Sequence, residues 1–311
     1  MFRIVEKRHW YFLISALIII PGLVAMVYSA VMFGAPVKLG IDFTGGSLWE
    51  MRYGQPVQPA AVRQVFNDNG LPATVQTTTD DSTILVRTKE IQPETKQQVQ
   101  DSLKAAFGAY DELRFEFVGP AVGAEVTRAA TIAVAVAALF IVLFIVFAFR
   151  KVPNAFRYGL CAVIAMIHDI LVTVGLFSIA GLLLGWEADA LFLTAVLTVV
   201  GFSVQDTIVV YDRIRENTPK RRGEPFETIV NRSLLETLHR SLATQLNAIF
   251  VLIALLFFGG ATMKQFVAML LVGMISGTYS SIFNAVPLLV VWETKKLIGG
   301  TRKPKPQPSQ A

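Results

Sequence analysis

Residues 201–217 read GFSVQDTIVVYDRIREN and set an acid, Asp206, inside an apolar run long enough to cross a membrane. An ionised carboxylate at mid-helix costs about 2.5–3.5 kcal/mol on insertion scales, so such a residue faces a bundle interior or a wet cavity. Burial raises a carboxyl pKa and a nearby cation lowers it, and an acid held between the two can load and release a proton. Asp206 is therefore a proton relay or a static polar clamp between helices. Arg240, at the start of the next apolar run, is its natural partner. Asp206 lies about five residues, roughly 7–8 Å, inside the end of its run, which puts the two at similar depth. Thr244 and Asn247 follow Arg240 at i+4 and i+7 and extend a polar face along the helix. The competing reading of Arg240 is an arginine that snorkels to the interface.

Asp169, near the middle of an earlier apolar run, is a second candidate for carrying protons, with a hydrogen-bonded helix contact as its alternative. His168 precedes it, but adjacent helix residues point about 100° apart and form no joint site unaided. Gln205 is offset from Asp206 by the same angle and reads as glue between helices. Gly273, Gly277, Ser281 and Asn284 form a stripe of small and polar residues that lets helix backbones approach closely. Soluble catalytic motifs are absent: there is no G-x-x-x-x-G-K-[ST], no H-E-x-x-H and no G-x-S-x-G. With three His and one Cys, no metal or other cofactor is expected, and no nucleophile–base constellation points to an enzyme. Cys161 has no disulfide partner within the chain and reads as a small buried residue.

The elements that carry these residues follow from hydropathy. Of 311 residues 53% are hydrophobic, and the mean hydropathy is +0.53, too apolar for an ordinary soluble pair of domains. Six apolar runs, about 10–33, 129–149, 158–184, 188–211, 241–258 and 265–292, are each long enough to span a bilayer. The first has a basic start but too long an apolar stretch for a cleaved signal, and it reads as retained. The net charge of +5 does not point to nucleic acid. Lys and Arg crowd into the N-terminus, 150–157, 212–240 and the tail, which places both termini in the cytoplasm.

Residues 34–128 form an external domain. Strands are expected at 47–53, 73–78, 82–88 and 113–118, with a turn at Asp80-Asp81. Helices are expected at 59–69, opened by Pro59, and from Pro93 to Gly108, with Val99, Leu103 and Phe107 on one face. The order β-α-β-β-α-β is the ferredoxin-like α+β pattern. The fold class is thus a polytopic α-helical membrane protein: a span at 1–33, the external domain, a five-helix bundle over 129–292 and a disordered tail at 293–311. Within the bundle, 212–240 reads as a cytoplasmic loop whose residues 224–240 form an amphipathic helix at the membrane surface, with Phe226, Ile229 and Leu234 toward lipid or protein. The glycines of LGIDFTGG (39–46) permit close backbone approach and suit packing of the external domain on the bundle.

Five stretches carry a resemblance: LGIDFTGG, His168-Asp169, GFSVQDTIVVYDRIREN, NRSLLETLHRS (231–241) and GTYSSIFNAVPL (277–288). In this order, with six spans and one long external loop, the chain resembles the SecF family of membrane subunits of the bacterial Sec protein-export machinery. The family usually has Asn before the acid of the fourth span, where this chain has Gln205. The resemblance implies residence in the inner membrane, a SecD partner with a matching six-span half, and a pseudo-symmetric RND-type transporter. It also implies a Sec channel and its associated factors as neighbours, preprotein as substrate, and use of the proton motive force without an ATPase of its own. By motif, Asp206 and Arg240 match the residues implicated in proton conduction. A small-solute exporter subunit and a structural assembly factor are the alternatives.

Overall fold

The computed structural model describes residues 4–77, 82–150, 155–221, 223–260, 263–295 and 297. Long apolar stretches wind into helices α1 (Arg8–Phe33), α5 (Pro120–Ala148), α6 (Ala155–Leu184), α7 (Ala190–Lys220), α8 (Phe226–Phe258) and α9 (Lys264–Ser280). The last continues through five π-helical residues, Ser281–Ala285, into α10 (Val286–Thr294). Among the described residues six helices are long and apolar enough to cross a membrane, α9 to α10 counting as one. Between α1 and α5 come a single turn α2 (Ile41–Thr44), β1 (Gly46–Tyr53), α3 (Pro59–Asp68), β2 (Ala73–Thr77), β3 (Thr83–Thr88), α4 (Pro93–Phe107) and β4 (Tyr110–Val118). The expected turn at Asp80-Asp81 and nearly all of the tail lie outside the described residues.

Several helices run further than hydropathy marks. α5 starts at Pro120, nine residues before the apolar run at 129, because proline presets the first helical turn and an alanine-rich stretch follows. The expected loop at 212–240 is largely helix, and no separate surface helix forms at 224–240. α7 runs to Lys220, α8 starts at Phe226, and the break falls at Gly223, at φ 108°, and Pro225. Charge pairs three residues apart, Asp212–Arg215 and Arg213–Glu216, support the α7 extension. Arg213 also reaches Glu236 at 2.6 Å, and Asn217 donates to Ser233 at 2.9 Å, so the two extensions are tied to each other. Ile229 and Leu234 are buried against protein, Leu234 in one core with Tyr211, Ile214 and Val230.

The described residues fall into two compact units, one holding Leu39–Ala133 with Glu187–Ala190 and the other the rest. In the smaller unit the strand order is β2-β3-β1-β4, all neighbours antiparallel, as the ferredoxin-like pattern requires. Pro59 and Pro93 open α3 and α4, and Gly70 and Gly108 follow them with positive φ. Alternation along β1 puts Trp49, Met51 and Tyr53 into a core with Phe66, Val99 and Leu103. Leu113 in β4 is the extra residue of a bulge opposite Glu50 and Met51. The LGIDFTGG segment bonds within this unit. Gly40 donates to the Ala188 carbonyl at 2.7 Å, and the Asp42 carboxylate accepts the Ala190 N–H at 2.8 Å. A Cβ on Gly46, at φ 122°, would stand 2.6 Å from the Thr88 carbonyl oxygen, so only glycine fits there. The Arg87 guanidinium pairs with the buried Glu187.

In the larger unit α1 lies on α6. Gly22 and Gly175 face each other so closely that a Cβ on Gly175 would be 2.8 Å from the Gly22 Cα, and Ser29 and Ser178 share a hydrogen bond of 3.1 Å. Cys161 is buried in the main core of this unit. At one end of it the buried Arg8 donates to Glu227 at 2.7 Å and to the Val5 carbonyl at 3.2 Å, and Asn231 accepts the Ile4 N–H at 2.9 Å.

Overpacking a tight contact costs about 1–3 kcal/mol. Gly175→Val therefore lowers the unfolding midpoint in detergent titrations, while Gly201→Ala, whose Cβ meets nothing within 4 Å, does not. In the smaller unit, burial and then the Glu112 carboxylate push the Tyr110 phenol up to about 12. The unfolded phenol titrates near pH 10, so this contribution to stability is full below about pH 10 and is lost as pH rises through about 12. Tyr110→Phe flattens the alkaline loss of stability, read by near-ultraviolet circular dichroism.

Candidate functional site

Asp169 is wholly buried on α6. Its carboxylate accepts the Ser203 hydroxyl of α7 at 2.5 Å, and the Ser280 and Ser276 hydroxyls of α9 at 2.6 and 2.7 Å. His168 Nδ1 sits 3.0 Å from Oδ1, the oxygen that also accepts Ser276, while Ser203 and Ser280 share Oδ2. The adjacent pair thus does meet, because the two side chains bend toward each other past the 100° between their Cα–Cβ directions. An acceptor with three hydroxyl donors at such lengths has the pattern of an ionised carboxylate, whose charge-assisted bonds are short. Gly273 and Gly277 bring α9 in close. A Cβ on Gly273 would overlap Val199 of α7, and one on Gly277 would lie 3.4 Å from the Ser203 Cα. Ser281 accepts the Thr207 hydroxyl at 3.0 Å, and Asn284 turns to α1 and donates to Ser15 at 2.8 Å.

The π-helical turn falls where these bonds converge. Two residues into α10, Pro287 has no N–H to give the Phe283 carbonyl, and its ring would crowd that carbonyl in a regular helix. A wider turn relieves the crowding, and π turns of this kind recur at functional sites. The buried Tyr211 hydroxyl donates to the Ala285 carbonyl at 2.9 Å.

Asp206 is buried on α7 and accepts Gln245 Nε2 of α8 at 2.9 Å. Ser241 lies one turn before Gln245 on the same buried face. The expected partner is not there. Arg240, Thr244 and Asn247 lie on the exposed face of α8, rotated away from Asp206, and among the described residues Arg240 makes no ion pair. Positions 241 and 245 share one face of the helix, and 240, 244 and 247 another, so depth matches and direction does not. Gln205 is likewise exposed and joins no other helix among the described residues. Sequence reasoning missed Ser203, Ser276, Ser280, Ser241 and Gln245. The signal was there: 276/280 and 241/245 are polar pairs four apart in apolar helices. Among the described residues no group of three or more His, Cys, Asp or Glu could hold a metal.

A multi-pass membrane protein with a small α+β domain and carboxylates buried between its spans belongs to the class of transport subunits. Residues 98–295 match the family described as protein export membrane protein SecD/SecF, C-terminal, and residues 30–57 match the SecD/SecF GG motif. A protein translocase subunit SecF of Thermobaculum terrenum is 49% identical, covering 99% of each chain. One from Anaerolinea thermophila is 48% identical over 94% of this chain and 95% of its own. The crystal structure of SecDF, a translocon-associated membrane protein from Thermus thermophilus, superposes with a TM-score of 0.80 at 31% identity. That match covers 94% of this chain and 39% of the longer one. The chain belongs to the SecD/SecF family, on its SecF side.

A hydrogen bond to a charged acceptor is worth about 1.5–3 kcal/mol. Ser276→Ala and Ser280→Ala each lower stability by an amount in that range. A double-mutant cycle shows coupling between them through Asp169. Thr278→Ala, whose hydroxyl bonds its own helix at Met274, has little effect on the same unfolding assay.

Proposed function

We propose that this chain is the SecF-type half of a SecD–SecF transporter that uses the proton motive force to promote preprotein movement through the Sec channel. In this reading it sits in the bacterial inner membrane with both termini in the cytoplasm and residues 34–128 outside. The observation that carries it is Asp206: a carboxylate buried in a span, faced by the neutral amide of Gln245. A static clamp would match a buried charge with a cation or, as at Asp169, with several hydroxyl donors, because an unmatched one is costly. A neutral partner suits an acid that is neutral for part of a cycle.

Protonation of Asp206 removes the charge that strengthens the Gln245 bond and re-biases the packing of α7 on α8. One charge crossing 100 mV supplies about 2.3 kcal/mol, comparable to the 1–3 kcal/mol of typical coupling between sites. Arg240, Thr244 and Asn247 point away from the chain's own acids, and a bare arginine at membrane depth is costly. That face suits a polar surface on SecD, where Arg240 would find its carboxylate. Asp169, saturated by hydroxyl donors, acts as the joint that α6, α7 and α9 share.

The test reconstitutes the chain with SecD and a Sec channel in proteoliposomes. With Asp206→Asn the complex is recovered at the wild-type level, while proton flux and proton-dependent export both fall to background. Export that persists in this variant rejects the reading, and loss of the complex itself makes Asp206 structural.

A further inference from the structure

α6 ends at Leu184 and α7 begins at Ala190, so five residues join two long helices. Helix–helix connections take about 2–8 residues and ordinarily run over the surface, where they are mobile. This one is held. Glu187 and Ala188 are buried, Ala188 completely. Glu187–Ala190 belong to the smaller unit, while Trp186 and Leu191 belong to the larger. The Arg87 guanidinium of β3 pairs with Glu187 and also donates to Gln76 of β2 at 3.2 Å, so the pair is tied to two strands. Leu39 bridges to Ala188 in parallel, and Gly40 donates to the Ala188 carbonyl at 2.7 Å. A Cβ on Gly40 would stand 2.8 Å from that oxygen. The Asp42 carboxylate accepts the Ala190 N–H at 2.8 Å. The first N–H groups of a helix have no partner within it, and a carboxylate there both satisfies one and suits the helix dipole.

We infer that Glu187–Ala190 is a coupling latch: Arg87 and Asp42 hold the joint of α6 and α7 within the smaller unit, so that a shift of either helix and a shift of that unit bias each other. The inference rests on the proton-driven reading above and names the route by which its work reaches the smaller unit. A connection needed only to reverse the chain has no use for an ion pair, a strand-like bridge and a helix cap on neighbouring residues. A loose loop would absorb a displacement, whereas a segment bonded at Glu187, Ala188 and Ala190 passes it on.

Both helices that leave the latch carry a buried carboxylate. Asp206 lies sixteen residues beyond Ala190, about 24 Å of helix, and Asp169 lies fifteen residues before Leu184, about 22 Å. Rigid elements carry coupling over about 20–40 Å when both ends are engaged. A change in packing around Asp206 or Asp169 thus arrives at the latch as a displacement of a helix end. By reciprocity, a pull on the smaller unit returns along the same helices to the two acids. Arg87, Glu187 and Asp42 act through the backbone of α6 and α7, which makes them positioning residues.

Hydrogen exchange of the full chain with SecD in lipid nanodiscs, read by mass spectrometry, tests the latch. The expected result is slow exchange over residues 187–190 in the wild type. Arg87→Gln, Glu187→Gln and Asp42→Ala each speed it, while the amides around Trp49 in β1 and Val86 in β3 keep their protection. Arg87→Gln combined with Glu187→Gln is no faster than the worse single variant, because the two side chains act as one pair. Arg52→Gln, at an exposed position of β1, changes nothing. Asp206→Asn shifts exchange in β3 and over 187–190, and the shift in β3 disappears once Arg87→Gln is added. In proteoliposomes with SecD and a Sec channel, the three latch variants keep wild-type proton flux and complex recovery. Their proton-dependent export falls at least about fivefold, the lower end of typical coupling between sites. Fast wild-type exchange over 187–190, a β3 that does not respond to Asp206→Asn, or export untouched in the latch variants overturns the inference. Flux, export and complex recovery that fall together also overturn it, since the pair is then a structural brace. Absent wild-type flux sinks the transport reading alone, and the response of β3 to Asp206→Asn still decides the latch.

Discussion

The Asp169 carboxylate takes hydrogen bonds from hydroxyls on two neighbouring helices, and no water of the bilayer core stands ready to replace them. Much of the larger unit follows from keeping that charge matched. Serine is short, so α7 and α9 must come almost to backbone contact before Ser203, Ser276 and Ser280 reach α6. Gly273 and Gly277 make the approach possible, the first by admitting Val199 and the second by lying on Ser203. The small residues and the acid are therefore one design. Glycines alone would give close packing with no angular preference, and the acid alone would be an uncompensated charge.

Much of this was legible in the sequence. The spans follow from hydropathy, since a helix that must satisfy its own backbone in lipid leaves little choice. The sheet domain follows from alternation at Leu48–Tyr53, from the prolines that open α3 and α4, and from the glycines that close them. What stayed hidden was direction. Arg240 and Asp206 have matching depth, yet α8 presents Ser241 and Gln245 to the acid instead. Sequence spacing gives the rotation between residues of one helix, but not the rotation of that helix against its neighbour. The extents of α7 and α8 were hidden for a different reason. Hydropathy marks where a helix leaves the apolar medium, while Gly223 and Pro225 mark where it stops.

The polar residues on the outer face of α8 and the bare sides of α5 describe a bundle that is finished on one side only. α5 carries Leu139, Phe140, Leu143, Phe144 and Phe147 exposed, and these suit lipid or the spans of another subunit equally well. Arg240, Thr244 and Asn247 are more selective, because hydrocarbon has nothing to offer them. Asp169 is matched within the chain, whereas Arg240 on the exterior makes no ion pair among the described residues and suits a neighbour that carries polar groups at the same depth.

The five π-helical residues at Ser281–Ala285 have one more consequence. A π turn holds an extra residue without lengthening the helix in proportion, so it acts as a phase slip. The stripe that runs Gly273, Gly277, Ser281 toward α7 would continue to Ala285 in a regular helix. Past the slip Ala285 meets α7 through its carbonyl, which accepts the Tyr211 hydroxyl, while Asn284 meets α1. The last span is thus two helices joined by the turn, the first bonded to Asp169 through Ser276 and Ser280 and the second packed in the core around Leu289. Removing a single residue inside the turn would turn the residues after it by about 100° away from their present partners.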